Sequence, residues 1–221
     1  MSNLLIFDFD GVIADSECVA NAGLAETVTE LGVPTTLEDS YNQYMGRTFS
    51  GVVSQVESII GRKLPANFWN EFQTRTIAEF RQVLKFVDGA EKFIDEFSHI
   101  PKCIASNSSP ERLDACKDVL GLHAAFETNV FSASNVRHGK PHPEIFLAAA
   151  NKMGVKPSRT VVIEDSISGV QAGVSAGMTV IGLLAASHIQ MRQRDQLKNA
   201  GAHHIADSFA EVKTYVTEYL D

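Results

Sequence analysis

Leu4–Phe7 is an unbroken apolar run that stops abruptly at Asp8, followed by Asp10 and Gly11. Continuous apolar runs of this length mark strands covered on both faces of a sheet. From Glu17 to about Lys85 the pattern changes to helical spacing, and no strand pattern appears. Helices are predicted over 17–31, stopped by Gly32 and Pro34, then over 37–44, over 48–60 ended by Gly61, and over 66–84. In the last of these Phe68, Phe72, Ile77, Phe80 and Leu84 share one face and read as core.

Beyond Gly89 strands and helices alternate. The pattern predicts a helix over 90–97, a strand over 103–106, a helix over 110–120 opened by Pro110, and a strand around Val130. It continues with a helix over 143–153, the TVVI strand over 160–163, a helix over 166–176 and a strand over 179–183. A helix over 189–199, a short strand over 203–206 and a helix over 209–220 complete it. Alternation of this kind implies an α/β fold with a doubly wound parallel sheet and helices on both faces. The expected organisation is a Rossmann-like core from residues 1–15 and 87–221, carrying an all-helical cap over 16–86.

In such a sheet the chemistry gathers at the carboxyl ends of the strands. Asp8 and Asp10, at i and i+2, lie on one side of an extended chain and converge. A converging carboxylate pair repels itself and asks for a cation. Ser106 and Asn107 end a second strand before the Pro110 helix, where a hydroxyl and free N–H groups can hold a phosphate. Lys140, pinned by Pro141, is placed to meet an anion. Glu164 and Asp165 follow TVVI and offer oxygens to a hard cation.

The order of these groups is specific as a set. DFDGVIADS, ASNSS, GKPHPE and VVIEDSISGVQAG resemble the four motifs of the haloacid dehalogenase superfamily, and the resemblance spans essentially the whole chain. The helical insert is similar to that family's C1-type cap. DGVIADSE, a cap MGR and EDSxxG resemble the β-phosphoglucomutase and small sugar-phosphate phosphatase group. The resemblance implies an Asp8 nucleophile forming an aspartyl phosphate, and an Asp10 general acid/base. It implies Mg²⁺ held by Asp8, the Asp10 carbonyl and Asp165 with Glu164 beside them, and phosphoryl oxygens held by Ser106, Asn107 and Lys140. Arg47, freed by Gly46, and secondarily Arg75 are the implied substrate contacts of the cap. The mutases carry a histidine in the first cap helix; no histidine precedes His99 here, which favours a phosphatase over the mutase alternative.

Composition narrows the partners. The chain has 221 residues and a formal net charge of −8, which argues against nucleic acid and anionic membranes without excluding an anionic substrate; the small phosphorylated metabolite is the partner that the resemblance implies. Cys18, Cys103 and Cys116 are few and scattered, as in a reducing compartment. With no leader pattern and no membrane-length apolar run, the expectation is a cytoplasmic, soluble monomer. His138 and His142 flank Lys140, but no third ligand is apparent in the sequence, and they read as surface groups. Gly169, Gly173 and Gly177 read as close helix packing rather than a nucleotide loop.

Overall fold

The structure, a computed structural model, describes residues 3–44, 49–190 and 192–220. The chain divides into two compact units, Met1–Asp15 with Lys85–Asp221, and Ser16–Leu84. The second crossing comes two residues earlier than the sequence pattern indicates. Lys85 and Phe86 belong with the first strand, because the Asp15 N–H donates to the Lys85 carbonyl at 3.0 Å and Ala14 pairs with Phe86.

The first unit begins with β1 (Leu4–Phe7). After the second crossing follow α5 (Ala90–Glu96), β2 (Lys102–Ser106), α6 (Pro110–Leu120), a short α7 (His123–Phe126) and β3 (Val130–Ser132). Then come α8 (Glu144–Lys152), β4 (Thr160–Glu164), α9 (Ile167–Ser175), β5 (Thr179–Leu183), α10 (Gln193–Asn199), β6 (His204–Ala206) and α11 (Phe209–Leu220). The strands pair in parallel in the order β3-β2-β1-β4-β5-β6. The chain therefore winds outward from β1 in both directions, and β1 and β4 meet at the topological switch point.

Alternation along β1 divides its side chains between two cores. Leu4 and Ile6 join Cys103, Val162, Val180, Ile145, Phe146 and Val170 in a fully buried cluster under α8 and α9. Phe7 points the other way, edge-on to Phe93 at 6.0 Å and Phe126 at 5.8 Å between ring centroids. Burial on both faces explains why no polar residue interrupts LLIF. Of the three glycines following β4, Gly169 and Gly173 allow α9 its close approach. A Cβ at Gly173 would lie 2.7 Å from Val180 Cγ2, whereas one at Gly177 would meet nothing within 4 Å.

Two elements depart from the expected pattern. The helix expected over 189–199 begins only at Gln193. Ahead of it the loop is tied to the strand ends: Ser187 donates from its N–H (3.1 Å) and hydroxyl (2.7 Å) to Asp15 Oδ1. The second departure is α7, a single turn that short apolar spacing in LHAAF does not distinguish from a loop.

The second unit consists of α1 (Glu17–Glu30), α2 (Leu37–Gln43), α3 (Phe49–Ile60) and α4 (Phe68–Val83). Thr36 and Asp39 form a reciprocal capping box at the start of α2. Leu24, Val28, Tyr44, Val52, Val56 and Phe72 make its core. On α4 the buried face is Phe68, Phe72, Thr76 and Phe80, a strict i, i+4 row; Ile77 is only half-buried. Among the described residues, no helix is long and apolar enough to cross a membrane.

Candidate active site

The register of the sheet brings the polar strand ends to one level. Phe7 pairs with Ile163 of β4 and with Ile104 of β2, so Asp8 emerges beside Glu164 and close to Ser106. The Asp8 N–H still donates to the Ile163 carbonyl at 3.0 Å, which fixes the backbone from which its side chain projects. Gly11 then turns the chain at φ 78°; a Cβ there would lie 2.0 Å from Asp165 Oδ2. Glycine is required on both counts.

Lys140 is the centre of the charge arrangement. Its Nζ donates to Asp8 Oδ1 at 2.7 Å and to Glu164 Oε1 at 2.6 Å, with only 3% of its side chain exposed. Burial opposes the lysine's charge, but the two carboxylates outweigh it and its pKa is raised. Burial, reinforced by Glu164 and Asp165, holds the Asp8 carboxyl well above the usual carboxylate range against the pull of Lys140. Burial likewise raises Asp165, against the hydrogen bond from His188. His188 Nε2 lies 3.2 Å from Asp165 Oδ2.

Asp8, Glu164 and Asp165 each offer an oxygen to one point, all within 4.8 Å of one another and all buried. A water-excluded set of hard oxygen donors, two of them with raised pKa, fits a hard divalent cation such as Mg²⁺. Within the set Glu164 has a different standing. Its Oε1 accepts from Lys140, and its Oε2 accepts from the Ser166 N–H (2.8 Å) and hydroxyl (2.9 Å). It therefore orients Lys140, which it shares with Asp8. Gly169 makes room for it: a Cβ there would fall on the Glu164 carboxyl, 1.6 Å from Oε1. Gly169→Ala is accordingly expected to destabilise the protein by about 1–3 kcal/mol, the usual cost of overpacking. A urea midpoint unchanged from wild type would contradict this packing.

The remaining expected residues are brought to the same strand ends. The Ser106 hydroxyl accepts from the Ser108 N–H at 3.1 Å. Asn107 clamps the Lys140 peptide from both sides: Oδ1 accepts from the Lys140 N–H at 3.0 Å, and Nδ2 donates to its carbonyl at 3.3 Å. Asp10 Oδ2 accepts from the Ser108 hydroxyl at 2.5 Å, and Oδ1 pairs with Arg112 at 2.6 Å. Ser108, Arg112 and His188 were not singled out from the sequence. Ser108 lies inside ASNSS and Arg112 in the first turn of α6, so proximity to a motif was their one signal; His188, in a loop, had none.

The two cap candidates fare differently. Arg47 lies outside the described residues. Arg75, within the helical unit, pairs with Glu30 at 2.7 Å with both side chains about 60% exposed (61% and 60%).

A family model for haloacid dehalogenase-like hydrolases matches residues 3–177. The Thermotoga maritima phosphorylated carbohydrates phosphatase is 32% identical over 178 residues, covering 79% of this chain and 81% of that protein. The Arabidopsis thaliana chloroplastic protein Suppressor of Quenching 1 is 30% identical over 94% of this chain, which spans only 20% of its length. Among solved structures, a Deinococcus radiodurans hydrolase of the family with bound phosphate and sodium superposes with a TM-score of 0.81 at 30% identity, covering 99% of this chain and 96% of that one.

Proposed function

The chain belongs to the haloacid dehalogenase-like hydrolase family, and from that premise we propose that it is a Mg²⁺-dependent phosphatase of a small phosphorylated sugar, working through an aspartyl phosphate. The observation that carries the reading is the convergence of Asp8 with Lys140 and Asp165, with Asp10 two residues on. The likeness to the Thermotoga phosphorylated carbohydrates phosphatase supports the substrate class. The phosphate in the Deinococcus structure supports the phosphoryl group.

The residues divide the work as follows. Asp8, oriented and partly neutralised by Lys140, attacks phosphorus in line; its Oδ–P bond forms as the bond from phosphorus to the sugar oxygen breaks. Asp10 delivers a proton to the departing alkoxide, then takes one from the water that attacks the acyl phosphate. The second displacement breaks the Asp8–phosphorus bond, releases inorganic phosphate and restores the carboxylate. Asp8, Asp165 and the Asp10 carbonyl, with Glu164 beside them, would hold Mg²⁺, which would supply the positive charge that lets an anionic nucleophile approach an anionic phosphate. Ser106, Asn107 and Lys140 receive the phosphoryl oxygens. Ser108 and Arg112 fix the direction of Asp10.

We place the protein in the cytoplasm as a monomer that handles a free metabolite. A mutase is the runner-up, and the lack of histidine before His99 weighs against it. The test is phosphate release from a panel of phosphomonoesters with Mg²⁺ and with EDTA, alongside isomerisation of a sugar 1-phosphate. Metal-dependent release is expected; isomerisation without release would overturn the reading in favour of the mutase.

EDTA is expected to abolish turnover and added Mg²⁺ to restore it. His188→Ala, which frees Asp165 from its oriented partner, is expected to weaken the apparent Mg²⁺ affinity by about 10–100-fold. A Mg²⁺ titration curve identical to wild type would refute that role.

A further inference from the structure

A second group of potential ligands lies on the loop that carries Lys140, apart from the carboxylate centre. His138, His142 and Glu144 each present a donor atom, all within 4.8 Å of one another. From the sequence the two histidines lacked a third partner; the first residue of α8, Glu144, provides it. We propose that these three side chains form a binding site for a borderline divalent cation such as Zn²⁺ or Ni²⁺.

The spacing suits an ion of that kind. Bond lengths of about 2.0–2.1 Å in a tetrahedron place neighbouring ligand atoms about 3.3 Å apart. His138 Nδ1 stands 3.2 Å from Glu144 Oε2, and His142 Nδ1 stands 3.8 Å from the same oxygen. Closing these edges onto an ion needs only small side-chain rotations, and half-exposed rings (54% and 53%) can make them. The Glu144 N–H donates to His142 Nδ1 at 3.3 Å, a long bond that this unprotonated nitrogen exchanges for the ion on binding.

The carboxylate is already oriented. Glu144 Oε1 accepts from the Arg137 N–H and Oε2 from the His138 N–H, both at 3.1 Å. These bonds, led by that to Arg137, keep its carboxyl below the usual range and therefore charged, the form that ligates. Outer hydrogen bonds of this type set ligand direction in protein metal sites. Two imidazoles and one carboxylate select Zn²⁺, Ni²⁺ or Cu²⁺ over Mg²⁺, which prefers an all-oxygen shell. Exposure leaves the remaining coordination positions to water and gives the ion an open path.

The experiment uses untagged full-length protein in excess Mg²⁺, which occupies the carboxylate centre, titrated with ZnCl₂ while the histidine ring signals are followed by NMR. Two ring systems are expected to shift together, saturating at one equivalent, and to be the signals missing from His138→Gln and His142→Gln. Zn²⁺ should also raise the melting temperature of wild type, because it binds only the folded chain, and the double variant should lose this rise. Zn²⁺ affinity should fall at least tenfold in either single variant. Shifts confined to His188 or to His203 and His204, or no shifts, would overturn the site. So would a double variant that binds Zn²⁺ as wild type does. Should the double variant fail to fold, the wild-type ring signals and single variants decide alone. The outcome is independent of phosphatase activity, since no step of the reaction uses these residues.

Discussion

Asp8→Asn is expected to abolish phosphate release, by about four orders of magnitude or more, while leaving the protein folded. The amide matches the carboxylate in volume but cannot attack phosphorus, and loss of a nucleophile usually leaves only the residual contribution of binding groups. Stability should change in the opposite sense to activity. Burial, with Glu164 and Asp165 adding to it, raises the Asp8 carboxyl above its ordinary value. A raised carboxyl means that the folded chain holds the proton more tightly than the unfolded chain. Its stabilising contribution is therefore complete below the unfolded value and is lost as pH rises through the folded value. At neutral pH in EDTA, replacing this strained charge by a neutral amide should raise the melting temperature, by about 2–4 °C for each kcal/mol recovered. Calorimetry beside a phosphate-release assay checks both halves. Residual turnover within tenfold of wild type would remove Asp8 as nucleophile, and a lower melting point in EDTA would contradict the electrostatic account.

Lys140→Met should be among the most destabilising substitutions in the core. The methionine fills similar space, but Asp8 and Glu164 lose the cation that both contact within 2.7 Å. Removing one partner of a buried ion pair costs about 3–5 kcal/mol, because the other is left charged and unsolvated. For a chain of this size that corresponds to a fall of about 10 °C in melting temperature. Glu164→Gln introduced alongside removes one of the two stranded charges, so the double variant should be more stable than Lys140→Met alone. Turnover by the folded Lys140→Met fraction should fall by about 10²–10³-fold, as when one donor to a transition-state oxyanion is lost. A double variant no more stable than the single would mean that Glu164 does not share the lysine's charge.

Much of the site was legible because its residues sit at motif positions that local pattern marks. Asp8 ends an apolar run, Ser106 ends the next strand on one side of β1, and Glu164 and Asp165 follow TVVI. Strand-end position is a local property, read from where hydrophobicity stops. Glu164 was legible as a site residue but not in its detailed bonding. From the sequence it stood with Asp165 as an oxygen donor; in the fold Lys140 and Ser166 engage its two oxygens. Which partners Glu164 gains depends on strand pleat and on the space that Gly169 leaves, and neither is written in the acidic pair itself.

The sequence alone determined the α/β core, the helical insert between β1 and α5, and the family, because each follows from periodicity or from short motifs with fixed order. Only the tertiary structure decided the strand order and the partners of each charged group. Lys140 meets Asp8 across 132 positions, Arg112 meets Asp10 across 102, and Lys140 meets Glu164 across 24. His188 reaches Asp165 from a loop, and Glu144 joins two histidines that looked unpartnered. Periodicity reports which face of an element is buried; it carries no information about which distant polar group shares that burial. That choice is made when parallel strands come into register and the low dielectric at their ends makes every unpaired charge costly.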